Sequence, residues 1–289
     1  MKSKIKIKII ILAFVLLLVG VACAIPKTTY EKWFNNDQQD ESNVNVETKL
    51  VYVKNASGKL VGLEVPIKEE NEDEIIQKWN LLTIHSDNIP NGYTTPLNAK
   101  TSLESYQIND SVLELNVSSD IASSEGRTAV ESLAWTFIND EIKEVKLFVN
   151  GVEVKEINTY LIRKIDKSMG INLEYETNYL YEANATTLVY YEQEYILPVT
   201  YLHLEEDVCS YIVEKTYDKY QKDEEVWNYE YTLTEESLEV NFTEELKVDQ
   251  RVLLTLSHSF DLNLDIINLS INNSNSNLYH TVFGEILEE

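Results

Sequence analysis

The residues whose types could support catalysis or metal binding are four histidines and one short acidic segment. His85, His203, His258 and His280 are scattered, with no pairing at the spacing that metal ligands require. The segment HLEED, which ends at Asp207, could offer an imidazole and carboxylates to a divalent ion. Its acidic residues also suit the first turn of a helix, where the helix dipole favours negative charge. We favour the helix, and we predict neither a metal site nor a cofactor.

The sequence shows no catalytic motif that would indicate an enzyme. It contains no nucleophile elbow, phosphate-binding glycine loop or dinucleotide fingerprint. Of its eight glycines, only Gly58 and Gly62 lie close together, across an expected turn. We therefore predict a protein that is not an enzyme.

Cys23 is a candidate for lipidation because of what precedes it. Four lysines among the first eight residues lead into an apolar run from Ile9 to Ile25, the layout of an export signal that also approaches the length of a membrane span. Ala22-Cys23-Ala24 fits both a lipoprotein cysteine and ordinary signal cleavage, although Gly20 replaces the usual leucine. Three outcomes remain open: a lipid anchor on Cys23, an uncleaved membrane helix, or cleavage with release of the chain. Each places the rest of the chain outside the cytoplasm.

The charge of the chain limits its partners. It has 24 basic and 49 acidic residues, a formal net charge of −25. Such a surface repels phosphate backbones, so we exclude nucleic acid as a partner. Cys209, the second of two cysteines, lies in an apolar-periodic segment and is expected to be a buried thiol.

The order of predicted elements after residue 48 is strand pair, helix, two strands, helix and strand, which favours an α+β sandwich with helices on one face of the sheet. Thr128 and Glu131 have the spacing of a capping box for the second helix. The elements rest on these segments: LVYV (50–53), LVGLEVPI (60–67), a helix around Trp79, the loop NIPNGYTTPLN (88–98), strands on both sides of Asn109-Asp110-Ser111, a helix through Phe137, and VKLFVNG (145–151).

The sequence VLELNVSSDI at 112–121 returns as SLEVNFTEEL at 237–246, and the order of elements returns with it. In the first copy Leu113, Leu115 and Val117 point to one face of the strand. The residues between them, Glu114, Asn116 and Ser118, are expected on a wet face. The second copy lacks the proline-glycine loop. Between the copies we predict a helix over 159–168 in a segment apolar enough to pack on a module.

These patterns predict five regions. They are a signal or anchor segment at 1–26, a tether at 27–48, a first module at 49–157, a connector at 158–185 and a second, degenerate module at 186–289.

The order of IPNGYTTPLNAKTSLESYQINDSVLELNVSSDI, AVESLAWTF and VKLFVNG resembles the GerMN domain of the GerM family of sporulation and germination proteins. The resemblance implies an α+β fold of two tandem GerMN-like modules, each a small mixed sheet packed by two helices and similar to ring-building modules of secretion channels. It also implies a non-enzymatic, membrane-anchored envelope protein of a Gram-positive bacterium. Its expected partners are envelope or sporulation-channel proteins, with self-association as a further expectation.

For such a role we select two surfaces: the wet strand face of Glu114, Asn116 and Ser118, and the loop of Asn91, Gly92 and Tyr93. The alternative is a solute- or glycan-binding envelope lipoprotein, because twelve of the eighteen tyrosines fall between Tyr175 and Tyr231. A buried cleft lined by tyrosines would favour the alternative, whereas tyrosines packed evenly in the core would count against it.

Overall fold

The computed structural model describes residues 47–67, 73–220, 227–243, 250–273, 278–282 and 285–288. These residues form four α-helices and sixteen strands, so the predicted α+β class is confirmed. The helices are α1 (Glu74–Leu82), α2 (Gly126–Phe137), α3 (Val208–Tyr220) and α4 (Gln250–Asn263). None of these four helices of the described chain has the length and apolarity to cross a membrane. The segment ending at Ile25, with Cys23, lies outside the described residues.

The strands alternate with these helices in two similar series, followed by two further strands. They are β1 (Thr48–Lys54), β2 (Leu60–Pro66), β3 (Leu103–Asn109), β4 (Val112–Val117), β5 (Glu144–Val149), β6 (Val152–Glu153), β7 (Glu156–Ile157), β8 (Tyr160–Leu161), β9 (Glu174–Tyr175), β10 (Asn184–Tyr191), β11 (Ile196–His203), β12 (Tyr229–Leu233), β13 (Ser237–Phe242), β14 (Asn268–Asn273), β15 (Leu278–Val282) and β16 (Glu285–Glu288).

Each module contains a mixed sheet with the same connection. In the first module the order is β3-β4-β5-β6, and in the second it is β12-β13-β14-β15-β16. The pairs β4–β5 and β13–β14 are parallel, which requires a crossover that α2 and α4 supply. The hairpin of β3 and β4 turns through Asp110 (φ 47°) and Ser111 (φ 63°), the two left-handed residues of a tight two-residue loop. The turn predicted after Asn109 is therefore confirmed.

The two strand pairs do not join the sheets of their own modules. Hairpins β1–β2 and β10–β11 instead form a third sheet in the order β1-β2-β11-β10, which both modules share. The hairpins meet where Ile196 pairs with Gly62. A Cβ atom on Gly62 would lie 3.1 Å from side-chain atoms of Leu50 and Tyr52, so a larger residue here would press on both side chains.

The helices α2 and α4 lie beside the outer strands of this shared sheet and bind their free edges. Ser132 Oγ of α2 donates to the Tyr52 carbonyl (2.6 Å), and the Tyr52 amide donates to Thr136 Oγ1 (3.0 Å). On the other edge, the amides of β10 donate to α4 at Thr255 Oγ1, Ser259 Oγ and Asn263 Oδ1, at 2.8 to 3.2 Å. Unpaired strand edges are sites of aggregation, and these side chains pair them.

The hydrophobic core of the first module extends into the second hairpin. Its buried residues include Trp79, Leu115 and Phe137, but also Val189 of β10, with Ile196 packed against them. A separate core of the second module joins α3 and α4 to β13 and β14, with Phe260 fully buried. The modules thus share a sheet and part of a core.

Two local predictions were wrong. Helix α2 begins at Gly126, so Thr128 is not its cap, and Glu131 instead accepts a hydrogen bond from Arg127 Nε (2.6 Å). The helix predicted at 159–168 is absent: Asn158 and Thr159 adopt left-handed φ angles of 44° and 67° and turn the chain between β7 and β8. Left-handed residues interrupt a helix whatever the apolar spacing that follows.

Candidate interaction surfaces

The outer face of the β3-β4-β5 sheet is polar, as the alternation in β4 predicts. Leu113, Leu115 and Val117 are fully buried, whereas Glu114 and Asn116 are half-buried on the opposite face. We call this the first sheet face, defined by Glu114, Asn116 and the neighbours that bind them, Gln107 and Glu104. Gln107 Nε2 donates to Glu114 Oε2 (2.5 Å) and Asn116 Nδ2 donates to Glu104 Oε2 (2.9 Å).

A shallow groove of about 430 Å³ runs across the first sheet face. Phe148 of β5 lies opposite Asn116 in the parallel ladder and supplies a half-buried aromatic ring to this groove. A groove whose walls include Tyr106 and Phe148 beside one carboxylate and two amides is suited to contact with a protein surface that is both apolar and polar.

Ser118 lies at the end of β4 and has a structural role. Its Oγ accepts from the Ser102 amide (3.2 Å) and donates to Asp120 Oδ2 (3.1 Å), while its own amide donates to the Ser102 carbonyl (3.0 Å). The side chain therefore closes the strand end, beside the groove but not among its lining residues.

The second module presents a related face. Glu239 and Asn241 of β13 hold the positions of Glu114 and Asn116. Their side chains lie on the face of the strand that is opposite to the face of the buried Leu238. Asn241 Nδ2 donates to Glu239 Oε1 at 3.3 Å, within one strand, where the first module uses bonds across strands. The repeated Leu, Glu and Asn thus have the same inward and outward positions in both copies.

The loop of Asn91, Gly92 and Tyr93 lies at the junction of the modules rather than beside the first sheet face. Asn91 and Gly92 are exposed, and Gly92 has a φ of 95° that favours glycine. Tyr93 is half-buried, and its ring makes an edge contact with Tyr195 of the second hairpin at 6.5 Å between centroids. Burial raises the pKa of Tyr93, and the charge of Glu194 raises it further.

The connector joins the two hairpins through Asn172. Its side chain accepts from the Leu60 amide (2.8 Å) and donates to the carbonyls of Leu60 and Pro198 (both 2.7 Å). Next to it, the Ile171 amide donates to Thr200 Oγ1 and the Thr200 amide donates to the Ile171 carbonyl, each at 2.9 Å. Ile165 and Ile171 are buried, which confirms that the connector packs against the modules.

The HLEED segment divides into a buried histidine and a helix cap. His203 Nε2 lies 2.8 Å from Thr186 Oγ1, and its ring stacks on Tyr211 at 3.6 Å between centroids. Asp207 accepts from the Ser210 amide (3.0 Å) and hydroxyl (2.8 Å) at the start of α3. The predicted helix does begin directly after this segment, at Val208, but its acidic residues precede the first turn instead of lying in it. Burial lowers the pKa of His203, although the charge of Glu176 opposes that effect.

Both modules repeat this cap together with a tyrosine. Asp73 caps α1 by accepting from the Ile75 amide (2.9 Å), and a hydrogen bond with Asp73 raises the pKa of Tyr106. Tyr231 donates to Asp207 Oδ2 (2.8 Å), which raises the pKa of this tyrosine to about 12. Tyr106 and Tyr231 occupy equivalent places, each facing the central apolar residue of the neighbouring strand.

The tyrosine-rich region separates into packed and exposed residues. Tyr190, Tyr201, Tyr211 and Tyr220 contact one another edge to edge, with ring centroids 6.2 to 6.3 Å apart in the two closest pairs. They fill the space between the second hairpin and α3. The described cavities with tyrosines in their walls are open grooves, and none is a buried cleft lined by these four rings.

Sequence reasoning missed the polar side chains that join the elements. Asn172 and the hydroxyls of Ser132, Thr136, Thr255 and Ser259 are uncharged and scattered, so composition does not select them. A signal existed in the helices: aligning His258 with Trp135 places Thr255 and Ser259 on Ser132 and Thr136, hydroxyl residues four positions apart on apolar helices.

The two similar series of elements define the class of the protein, a tandem arrangement of GerMN-fold modules. The structure matches the tandem GerMN domains of the sporulation protein GerM from Bacillus subtilis with a TM-score of 0.67 and 19% identity, covering 79% of this chain and 91% of that one. The first GerMN domain of the same protein, solved alone, aligns with a TM-score of 0.37 and 23% identity over 41% of this chain and 96% of that one.

A family model matches part of the sequence. Residues 33–155 match the family described as "Germane: Sporulation and spore germination". No curated protein sequence matches the chain. The resemblance predicted from the loop, strand and helix motifs is thus confirmed over residues 33–155.

Proposed function

We propose that this protein is a non-enzymatic, membrane-tethered protein outside the cytoplasm that mediates protein–protein assembly in the envelope during sporulation or germination. The family match supports the link to sporulation and germination. The basic and apolar N-terminal segment and Cys23 support the tether. The partners are envelope or sporulation-channel proteins, and a second copy of the chain is a further partner.

The observation that carries this proposal is the union of the two modules. The shared sheet, the common core and the Asn172 bonds fix the modules to each other, and two mixed sheets remain with polar outer faces. A binding surface held on a rigid element loses little conformational entropy when a partner binds. This arrangement is suited to holding partners at a fixed spacing.

The first sheet face is the surface we assign to assembly. It combines a groove, a half-buried aromatic ring and acceptor carboxylates, whereas the equivalent face of the second module has Ser270 opposite Glu239 in place of Lys146. Because the two faces differ, one protein has two surfaces of different specificity. Contacts between unlike surfaces are those that build rings or filaments.

The test is a cross-linking pull-down of the tagged full chain from its own host, in vegetative growth and in sporulation. We expect channel or septal envelope proteins to be recovered only during sporulation. Glu114→Lys should reduce that recovery at least fivefold. Glu235→Lys, in the exposed turn between β12 and β13, is the control for added charge. A Cys23→Ala variant tests the lipid anchor through its release from the membrane fraction. Recovery of none of these proteins from cells that contain the chain would contradict the proposal.

The alternative, solute or glycan binding, lacks the cleft it needs among the described residues. The central tyrosines are packed against α3 rather than lining an opening. The same pull-down serves here, because a solute-binding protein would recover no envelope partner in either condition.

A further inference from the structure

The connector carries a concentration of exposed apolar side chains. Tyr179, Leu180 and Tyr181 are three consecutive residues with 67%, 52% and 106% of their surface exposed, and Leu204, 47% exposed, follows β11. Asn184 Nδ2 donates to the Glu205 carbonyl (2.8 Å), which brings the segment after Leu204 beside the connector. We call this surface the connector tip. Scattered single apolar residues are normal on a protein surface, but a contiguous group marks a binding site.

The backbone of the connector tip is held in place by several hydrogen bonds. The Glu176 amide donates to the Leu202 carbonyl (2.9 Å), the Tyr179 amide to Thr177 Oγ1 (3.0 Å), and the Glu182 amide to the Tyr179 carbonyl (3.0 Å). Strand β9, immediately before it, pairs with β11. The apolar side chains are therefore presented from an ordered turn. Such pre-organisation lowers the entropic cost of binding.

The rim of the connector tip is acidic. Glu174 and Glu176 are neutralised by Lys59 and Lys215, which leaves Glu182, Glu205 and Glu206, all exposed, with no lysine or arginine in the sequence between Glu174 and Glu206. Anionic lipid headgroups and further copies of this acidic chain would both be repelled by that rim. A partner with basic residues around an apolar depression would be attracted.

We propose that the connector tip is a docking site for a protein that presents an apolar socket rimmed by lysine or arginine. Tyr179, Leu180 and Tyr181 fill the socket, and the three rim carboxylates face its basic residues. Tyrosine is among the residues that contribute most to protein interfaces, because a large rigid ring is buried together with one polar group. This surface is separate from the first sheet face, so either can be disproved while the other stands.

The experiment places a photo-crosslinking phenylalanine analogue at Tyr181 in the full-length chain, expressed in its own host. The matched controls carry the analogue at Leu161 and Val152, which are 68% and 71% exposed but lie elsewhere. We expect one dominant protein adduct from the analogue at Tyr181 and none from the analogue at either control position. The cross-linked peptide of the partner should contain lysine or arginine among apolar residues.

The captured protein is then purified and its affinity for the full chain measured. The triple variant Tyr179→Ser/Leu180→Ser/Tyr181→Ser should bind at least tenfold more weakly, and 0.5 M salt should weaken binding of the unmodified chain. Because the three side chains are exposed, the thermal midpoint of the triple variant should change by less than about 2 °C. The proposal is overturned by adducts equal to the controls, by adducts to lipid or to a second copy of this chain, or by equal affinity of the triple variant.

A second probe separates membrane contact from protein contact. The chain is incubated with vesicles of phosphatidylcholine alone and of phosphatidylcholine with phosphatidylglycerol, then sedimented. Equal sedimentation of the unmodified and triple variants is expected, and loss of binding by the triple variant would show that the tip contacts lipid instead. Glu114→Lys, which tests the proposed function, should leave the Tyr181 adduct unchanged.

Discussion

The first module binds the free edge of its hairpin with Ser132 and Thr136, whereas the second uses Thr255, Ser259 and Asn263 on the equivalent helix. The residue types differ, but each set places oxygen atoms at four-residue intervals on the side of a helix that meets a strand. The two helices therefore share the positions of these side chains and their capacity to form hydrogen bonds, but not the residue types. The fold of a degenerate repeat is therefore better recognised from such positions than from matching letters.

The modules differ most at their junction. The first contributes the proline-glycine loop, through Tyr93, and the second contributes Tyr195 and the rest of its hairpin. The loop that the second copy lacks is thus used to contact that copy. A duplicated module has no need for both loops when the two copies meet only once.

The largest effect is expected from Asn172→Ala, which breaks the joint between the modules. The substitution leaves two carbonyls and one amide of the hairpins without their partner. It also places alanine at a left-handed φ of 48°, where asparagine is better tolerated. We expect a loss of about 2–4 kcal/mol in the free energy of unfolding, measured by denaturant titration. Asn158→Ala is the control, because Asn158 has a similar φ of 44° in an exposed turn. Equal losses for the two variants would show that the hydrogen bonds contribute little.

The next effect tests the two helix edges against each other. Ser132→Ala and Ser259→Ala each leave a buried strand group unpaired, and each should cost about 1–3 kcal/mol. Ser257→Ala is the matched control: this serine of α4 is also buried, but its hydroxyl meets no partner among the described residues. Thermal and denaturant unfolding should show it neutral or slightly stabilising. A loss at Ser257 as large as at Ser259 would contradict the role given to the edge bonds.

A third prediction concerns how stability depends on pH. The second module contains a buried histidine, His203, whereas no buried histidine occurs among the described residues of the first module. Burial lowers the pKa of His203 in the folded state below its usual 6.5, so between those two pKa values the unfolded chain binds more protons. Stability should therefore be highest above about pH 6.5 and decline as the pH falls towards the folded pKa, by about 1.4 kcal/mol for each pH unit that separates the two pKa values. His203→Phe retains the stacking on Tyr211 and should flatten this profile.

Thermal midpoints of both proteins from pH 8 to pH 5 provide the measurement for this third prediction. His85→Phe is the control for the loss of a histidine. If His203→Phe and the unmodified protein lose stability in parallel as the pH falls, His203 is not the titrating group.

The smallest effect is expected at the duplicated cap. Tyr106→Phe and Tyr231→Phe each remove one hydrogen bond to a capping aspartate at a partly exposed site. Each should cost about 0.5–1 kcal/mol, and the two values should agree within measurement error, since the contacts are equivalent. Tyr175→Phe, at an exposed tyrosine of β9, is the control. Clearly unequal values would show that the two caps are not equivalent.

Local patterns in the sequence predicted much of this fold. The alternation in β4, the turn after Asn109 and the repeat around Leu238 depend on neighbours within a few residues, and all are confirmed. The sheet to which each hairpin belongs depends on contacts between residues distant in sequence, such as the pairing of Gly62 with Ile196, which no local pattern encodes. The same limit applies to Asn172 and to the position of Tyr93, because their partners are distant in sequence.

The pairing of Gly62 with Ile196 also has a consequence for biosynthesis. A chain emerges from the ribosome N-terminus first, so β2 is made long before β11. Until β11 arrives, the inner edge of β2 has no strand beside it, and closing so long a loop slows folding. A chaperone that shields strand edges would therefore act on this protein before β11 is made, and truncation before residue 196 would leave that edge of β2 exposed to aggregation.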